Sequence, residues 1–367
     1  MAKRRHTVGV IGLGFGRAHI PAFQSQGCEV VAVCQRDEAK AREVAQRYGV
    51  PRTFDRWEAM LEQARPDIVV IAAPPALHRV IAVEALSAGA HVLCEKPLAL
   101  NAAEARAMSE AATRAGRVAM TCFNWRFPAA MQRLHAMVDE GFLGRLFHVS
   151  GRYLVPRWAD ESVQPTWRMD RAQAGHGVMG DLGVHLVDLI RWNFGEPVRV
   201  SASAGIAYPS RTVPGGEKAA DTEDFCTAMV EIASGAQATL QVSRVARAAN
   251  DQTLEAYGSL GALRYSIGRG RAGRWYRGEL LAASGTKGLE PVQVRAGLPR
   301  SVGDGDPIEV TGKATIGPLV KRFLAAIAKG QSASPSFEDG MRAQAVLDAV
   351  AASARGGGWV SVEDAPR

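Results

Sequence analysis

Short apolar runs alternate with amphipathic stretches along the chain up to about residue 123. The pattern predicts strands at Thr7–Ile11, Glu29–Cys34, Asp67–Ala72, His91–Cys94 and Val118–Phe123. It predicts helices at Arg17–Gly27, Glu38–Tyr48, Arg79–Ala88 and Ala102–Ala115. Strands and helices that alternate over short connections are typical of an α/β domain, a doubly wound parallel sheet with helices on both faces.

The pattern changes after about Phe127, where one predicted helix, Ala129–Glu140, precedes longer segments of alternating polarity. The predicted strands are Leu146–Leu154, Val198–Ala207, Phe225–Ile232, Ala236–Arg247, Leu254–Gly258 and Ala262–Ile267. The last predicted elements are a connector at Asp304–Thr315 and helices at Gly317–Lys329 and Glu338–Ala354. We therefore expect a second, α+β domain with a large, mostly antiparallel sheet. The expected domains are 1–123 and 124–367, with the C-terminal helices packing near the junction.

Composition narrows the class of protein. A chain of 367 residues is long enough for two cores. Its five cysteines form no metal-finger spacing, which indicates reduced, buried thiols and no metal site. The net charge is +7, but the arginines are scattered, so nucleic acid is not an expected partner. No secretion signal and no apolar run of roughly 20 residues is present, so we expect a cytoplasmic protein without a membrane partner.

Three glycines follow the first predicted strand, in the segment "VIGLGFGRAH". Gly12, Gly14 and Gly16 stand at every second position, and a predicted helix begins directly after them. Glycines let the backbone approach a pyrophosphate, and the free N–H groups of the helix N-terminus bind it. The alternative is a mere tight turn. The glycine segment follows the first strand of a βαβ series, and this position favours a Rossmann dinucleotide site.

The end of the second strand selects between the two nicotinamide dinucleotides. A carboxylate there holds the ribose hydroxyls of NAD, whereas an arginine accommodates the additional phosphate of NADP. This chain has Gln35 at that position, followed by Arg36 and Asp37. That order favours NADP or dual use slightly over strict NAD use. The alternative, in which Asp37 reaches the ribose and Arg36 is an ordinary surface residue, stays open.

Two further segments carry candidate chemistry. Glu95-Lys96-Pro97 ends a predicted strand, where open α/β sheets bind their ligands, and the proline restricts Lys96 to an extended or turn geometry. Asp181 and His185 stand at helical spacing on a predicted helix that begins near Gly180. The alternative for this pair is a helix cap and a core histidine.

The glycine turn, the Glu-Lys-Pro strand end and the Asp-x-Gly-x-His helix together resemble the Gfo/Idh/MocA family, the glucose–fructose oxidoreductase and inositol dehydrogenase-like enzymes. The resemblance extends from Val8 to about Val362. It implies an NAD(P)-dependent oxidoreductase that transfers a hydride between the nicotinamide and a secondary alcohol or ketone of a sugar, cyclitol or sugar derivative. It also implies a homodimer or homotetramer that associates through the open face of the second sheet.

The resemblance assigns roles residue by residue. Lys96, Asp181 and His185 match the catalytic set, with His185 as the base that takes the hydroxyl proton and Lys96 as the donor to the reacting oxygen. The implied cofactor contacts are Gly12, Gly14, Phe15, Gly16, Gln35, Arg36, Ala73, Pro74, His78, Glu95, Lys96 and Asn124. The implied substrate contacts are Lys96, Arg126, Tyr153, Trp167, Arg168, His176, Asp181 and His185.

One departure from the family pattern is His176, which stands between Gly175 and Gly177 where relatives often have a third glycine. It faces the substrate as an extra acid, base or donor, or it points outward. Two other functions stay open. The first is an NAD-dependent, redox-neutral enzyme that cleaves glycosides by transient oxidation, in which Arg126, Arg152, Arg157 and Arg168 could also bind an acidic sugar. The second is a non-catalytic dinucleotide-binding regulator.

Overall fold

The structure, a computed structural model, describes residues 5–213, 215–268, 275–294 and 306–363. These residues form two compact units. Unit 1 comprises residues 5–99, 103–127 and 306–341. Unit 2 comprises residues 100–102, the described part of 128–294, and 342–363.

Unit 1 is built on a six-stranded parallel sheet in the order β3-β2-β1-β4-β5-β6. The strands are β1 Thr7–Ile11, β2 Glu29–Cys34, β3 Arg52–Phe54, β4 Ile68–Ile71, β5 His91–Cys94 and β6 Ala119–Thr121. All four residues of β4 are buried, as expected for a strand covered by helices on both faces. The predicted parallel sheet is confirmed. The short edge strand β3 is an addition, because three residues of mixed polarity carry little signal.

Helices cover both faces of this sheet. They are α1 His19–Ser25, α2 Glu38–Tyr48, α3 Trp57–Ala64, α4 His78–Ser87 and α5 Ala102–Ala115. The glycine turn continues into a 3₁₀ helix, Gly16–Ala18, before α1 begins. The helix predicted to start at Arg17 is therefore tighter in its first turn and ends earlier than expected.

Residues 306–341 complete unit 1, although we predicted residues 124–367 as the second domain. The segment contains α9 Pro307–Thr311, a π-helical stretch Gly312–Ile316 and α10 Gly317–Lys329. Ile316, Leu319 and Phe323 are buried in one cluster with β1 and α1 residues. The prediction of a connector at Asp304–Thr315 is therefore wrong from Pro307 onward. Here Asp306 caps a helix by accepting from the Ile308 N–H at 2.9 Å.

Unit 2 contains a nine-stranded sheet in the order β16-β15-β14-β13-β7-β12-β11-β8-β17. Its strands, together with the separate hairpin β9–β10, are β7 Leu146–Leu154, β8 Pro197–Gly205, β9 Ser210–Val213, β10 Gly216–Ala219, β11 Phe225–Ile232, β12 Gln237–Ser243, β13 Asp251–Gly258, β14 Gly261–Gly268, β15 Glu279–Ser284, β16 Glu290–Pro291 and β17 Val360–Ser361. Among these described strands, β7 and β12 pair in parallel and the other neighbours are antiparallel. The predicted large, mostly antiparallel sheet is confirmed.

Helices of unit 2 lie on one face of this sheet. They are α6 Ala129–Asp139, α7 Arg171–Ala174, α8 Val184–Phe194 and the longer α11, Phe337–Gly356, whose residues from 342 onward belong to unit 2. Buried and exposed residues alternate along β11 and β12, so the other face is open. No helix in the described ranges is both long and apolar enough to cross a membrane.

Candidate active site

The glycine turn leaves β1 in a conformation that requires glycine at its first position. Gly12 has φ +87°, and a Cβ there would lie 2.5 Å from the Ala72 carbonyl oxygen. Its N–H donates to the Cys34 carbonyl at 2.9 Å. The turn is thereby attached to the ends of β2 and β4, the neighbours of β1 in the sheet.

The open space at Gly14 indicates which ligand group fits this turn. A Cβ at Gly14 would meet no described protein atom within 4 Å, so packing inside the fold does not require a glycine there. The turn is followed by the 3₁₀ helix that begins at Gly16, with Phe15 as its N-cap. An open backbone at a strand end, before a helix N-terminus, fits the pyrophosphate of a dinucleotide.

The end of β2 is the place that selects the cofactor. One cation is exposed there, and the nearby carboxylate caps a helix. Gln35 Oε1 accepts from the Leu13 N–H at 3.1 Å and so supports the glycine turn. Asp37 caps α2 by accepting from the Lys40 N–H at 3.1 Å. Arg36 is exposed, and no described carboxylate pairs with it.

His78 makes its hydrogen bonds inside unit 1. It is buried; its Nε2 lies 2.8 Å from the Ala73 carbonyl oxygen and its Nδ1 lies 3.1 Å from that of Pro97. Burial lowers the pKa of His78 more than these hydrogen bonds raise it. His78 therefore joins the Ala73-Pro74 turn to the segment after Lys96, and its contact with a cofactor stays a prediction.

Glu95 and Asn124, at the ends of β5 and β6, are both buried and both hydrogen-bonded within unit 1. Glu95 Oε1 lies 2.8 Å from His19 Nε2, and Asn124 Nδ2 donates to Thr315 Oγ1 at 2.8 Å. His19 and Thr315 are not among the residues predicted from the sequence. His19 could have been found from its place in the first helix after the glycine turn, but Thr315 comes from a distant segment and carries no local signal.

Unit 2 positions its candidate residues through a close backbone approach at Gly177. A Cβ there would lie 2.3 Å from the Glu223 carbonyl oxygen. The Glu223 side chain accepts from the N–H groups of Gly177, at 2.8 Å, and Met179, at 3.3 Å. A π-helical segment, Met179–Gly183, follows and runs into α8. Asp181 lies in this wide turn. π-helical turns occur frequently at functional sites.

Asp181 lies between two guanidinium groups. Its Oδ2 is 3.3 Å from Arg157 Nη1 and its Oδ1 is 3.6 Å from Arg168 Nε. Arg168 also stacks over the Trp167 ring at 4.3 Å, so the predicted substrate residues Trp167 and Arg168 lie beside the predicted catalytic Asp181. Arg157 was considered only as a possible contact for an acidic sugar.

His185 is buried on α8, in the turn after Asp181. The ring of Tyr153, a predicted substrate residue on β7, lies 6.3 Å from the His185 ring, centroid to centroid. Tyr153 reaches it because Val149, Gly151 and Tyr153, at alternate positions of β7, face the covered side of the sheet. Trp192, farther along the same helix, stacks on the His135 ring with the two ring centroids 3.8 Å apart.

His176 points to α11 of unit 2. Its Nε2 lies 2.9 Å from Asp348 Oδ1, and the ring is buried. It lines a cavity of about 320 Å³ whose walls also include Arg171, Met179, Glu223, Leu347 and Arg355. Among the described predicted substrate residues, His176 is the one that this cavity contains. The prediction of a substrate contact is therefore not supported by its surroundings.

The remaining predicted arginines have other partners. Arg126 is buried in unit 1, where it donates to Ser334 Oγ at 2.7 Å and pairs with Asp339 at 3.2 Å. Arg152 pairs with Asp251 at 2.7 Å on the outer side of the unit 2 sheet. Arg157 and Arg168 adjoin Asp181, whereas Arg126 pairs with Asp339 and Arg152 with Asp251.

Two family models match the chain. Residues 6–123 match the oxidoreductase family with an NAD-binding Rossmann fold, and residues 131–264 match the GFO/IDH/MocA C-terminal domain. Both matches follow the order of the two folds described above.

Characterised proteins are similar along almost the whole chain. It is 31% identical to levoglucosan dehydrogenase of Pseudarthrobacter phenanthrenivorans, over 97% of each chain. It is 29% identical to D-apiose dehydrogenase of Paraburkholderia graminis, over 98% of this chain and 90% of that one. Its fold is similar to a solved structure of levoglucosan dehydrogenase in complex with NADH and levoglucosan, with a TM-score of 0.87 and 29% identity over 98% and 100% of the two chains.

Proposed function

This chain belongs to the Gfo/Idh/MocA family of oxidoreductases, and from that premise we propose that it transfers a hydride between a nicotinamide cofactor and a secondary alcohol or ketone of a sugar, cyclitol or sugar derivative. The observation that carries the proposal is the surroundings of Asp181 and His185 in unit 2. Both side chains are supported by neighbours predicted for the substrate, and Asp181 is flanked by two cations.

The residues divide the chemistry as follows. The bound nicotinamide supplies the acceptor or donor of the hydride. His185 takes the proton of the substrate hydroxyl during oxidation and returns it during reduction, because imidazole exchanges protons near neutral pH. Lys96 donates to the reacting oxygen and stabilises its developing negative charge. Asp181, held by Arg157 and Arg168, accepts hydrogen bonds from substrate hydroxyls and orients them.

The test measures turnover with each of the two cofactors. The purified protein is incubated with NAD or NADP and a panel of neutral and acidic sugars, cyclitols and aryl glycosides, and reduced nicotinamide and released aglycone are measured separately. We expect reduced cofactor with at least one sugar. Aglycone release without net reduction would contradict the proposal and favour redox-neutral glycoside cleavage.

The variants Lys96→Met and His185→Asn test the assigned roles. Each should lower kcat/KM by about 10²–10⁴-fold, the usual contribution of a positioned acid–base or electrostatic group. NADH binding, followed by fluorescence, should persist in His185→Asn. His148→Asn is the matched control, because His148 stacks on Tyr257 on the outer side of the sheet. If His185→Asn is as active as His148→Asn, the role of His185 is wrong.

We further propose that Arg36 lets the enzyme use NADP as well as NAD. The support is that Arg36 is exposed with no described carboxylate pairing with it, whereas the nearby Asp37 caps α2 through Oδ1. Arg36→Ala should lower kcat/KM for NADP by about tenfold or more and leave the NAD value nearly unchanged, because the extra phosphate loses its cation. Equal loss with both cofactors would contradict this assignment.

A further inference from the structure

The cavity of about 320 Å³ beside His176, which we call the α11 cavity, lies wholly within unit 2. Its described walls come from residues 171–179, the end of β8, Glu223 and α11, and they include neither Asp181 nor His185. Native interiors leave few voids larger than a water molecule, and cavities of roughly 300–1,000 Å³ are usual for small-molecule sites. The chemistry proposed above does not use this cavity.

One face of α11 forms most of the apolar wall. The lining residues of this helix stand at i, i+3, i+4, i+7 and i+8, namely Leu347, Val350, Ala351, Ala354 and Arg355. This spacing places them on one side of the helix. Met179 and Ile206 add apolar surface from the other walls. Ile206 is 37% exposed, so this apolar surface extends to the outside of the protein.

Four side chains of the cavity wall are ionisable, and three of them already have a partner. His176 pairs with Asp348 at 2.9 Å. Glu223 accepts from two backbone N–H groups and lies 3.6 Å from Arg171, whose guanidinium also donates to two backbone carbonyls. Arg355 is exposed, and no described side chain pairs with it. The cavity therefore has one positive charge without a partner, next to an apolar wall.

We propose that the α11 cavity is a second ligand site, which binds a small organic monocarboxylate with an apolar body. The carboxylate pairs with Arg355, because a guanidinium binds a carboxylate through two parallel N–H groups. The body of the ligand packs against α11, Met179 and Ile206 and is thereby removed from water. A sugar would leave its hydroxyl groups unpaired against these walls, so the ligand differs in chemistry from the substrate proposed above.

The experiment measures binding to the purified full chain by calorimetry, without cofactor or sugar. The probes are phenylacetate and hexanoate, an aromatic and an aliphatic acid. Two further compounds separate the two parts of the site, since phenylethanol lacks the charge and gluconate lacks the apolar body. We expect at least one of the acids to bind about tenfold more tightly than phenylethanol and gluconate, because each of these loses one kind of contact.

The variant Arg355→Gln removes the charge at an exposed position, so the fold should be retained. It should weaken binding of the acid by about tenfold and leave phenylethanol unchanged, because only the charged group loses its partner. Arg322→Gln is the matched control. Arg322 is also an exposed helix arginine that no described carboxylate pairs with, but it lies on α10 in unit 1.

A second variant, Ala351→Phe, fills the cavity from α11 and should abolish binding of the acid. If this variant does not fold by circular dichroism, Arg355→Gln carries the test alone. His185→Asn should bind the acid as the wild type does.

Three results overturn the proposal. The first is that neither acid binds, or that the acid and phenylethanol bind equally well. The second is an equal loss of binding in Arg355→Gln and Arg322→Gln. The third is a loss of binding in His185→Asn, which would place the acid at the candidate active site.

Discussion

The two sheets are stabilised by different means. The parallel sheet of unit 1 is covered on both faces, and strands such as β4 are buried along their whole length. The sheet of unit 2 has one open face. Unit 2 also buries two cations, Arg211 of the β9–β10 hairpin and Arg244 directly after β12, whose side chains are almost wholly inaccessible. The strands of unit 1 are therefore continuous apolar runs, whereas unit 2 combines strands of alternating polarity with the buried Arg244–Asp224 pair.

The buried pair Arg244–Asp224 should give the largest effect on stability. Arg244 Nε donates to Asp224 Oδ1 at 2.7 Å, and Asp224 Oδ2 accepts from the Ala207 N–H at 2.8 Å. Asp224→Ala leaves a buried cation without its partner and should cost about 3–5 kcal/mol in the free energy of unfolding. Urea denaturation measures it.

The matched control is Glu38→Gln in unit 1, which removes the exposed pair Arg42–Glu38 and should leave stability almost unchanged. If both variants unfold at the same urea concentration, the contrast between the units fails.

The open face of the unit 2 sheet should give the next largest effect, on association. Met229 and Phe225 are half exposed on β11, and Met229 lies opposite Ser201 of β8 and Thr239 of β12. An apolar patch among small polar residues favours a second copy of the chain. We expect an oligomer that Met229→Glu weakens by at least about tenfold, since each charge there would be desolvated. Sedimentation equilibrium measures it.

Leu260→Glu is the control for that variant, because Leu260 is equally apolar and exposed but lies in the β13–β14 turn. A monomeric wild type, or equal dissociation of both variants, would contradict the assigned interface.

A smaller effect is expected on the pH dependence of stability. Burial, and then the positive charge of Arg117, lower the pKa of His91 in unit 1, so the unfolded chain binds a proton here more readily than the folded one. Stability is full above about pH 6.5 and falls as the pH drops below it. His91→Asn should flatten this slope between pH 7.5 and 5.5 in urea titrations, while keeping an acceptor for the Val118 N–H. An unchanged slope would show that other groups, such as His78, carry it.

The sequence predicted most of the regular elements. Their predicted bounds are accurate where buried and exposed positions follow a regular pattern. The strands Thr7–Ile11, Leu146–Leu154 and Phe225–Ile232 have the predicted bounds. These segments are continuous or strictly alternating in polarity, and both patterns are local. The strand Arg52–Phe54 and the hairpin β9–β10 were missed because short exposed segments have no such pattern.

The candidate site was only partly predictable. The glycine turn follows from a motif, and Asp181 and Arg168 are both among the predicted site residues, although their pairing is seen only in the structure. Arg157 comes from a loop with no motif of its own. His78 and His176 are typical site residues by composition, yet the fold uses His78 to join backbone segments and His176 to pair with Asp348. A motif identifies the kind of side chain, but its partners come from distant segments.

The sequence by itself determined the two fold classes, the family and the order of the candidate motifs, because hydrophobic period and motif spacing are properties of neighbouring residues. Only the tertiary structure decided that residues 306–341 complete the first unit, that His19 contacts Glu95, and that two arginines flank Asp181. Those contacts join residues far apart in the chain, and the free energy of burying a charge depends on every partner that the fold brings to it.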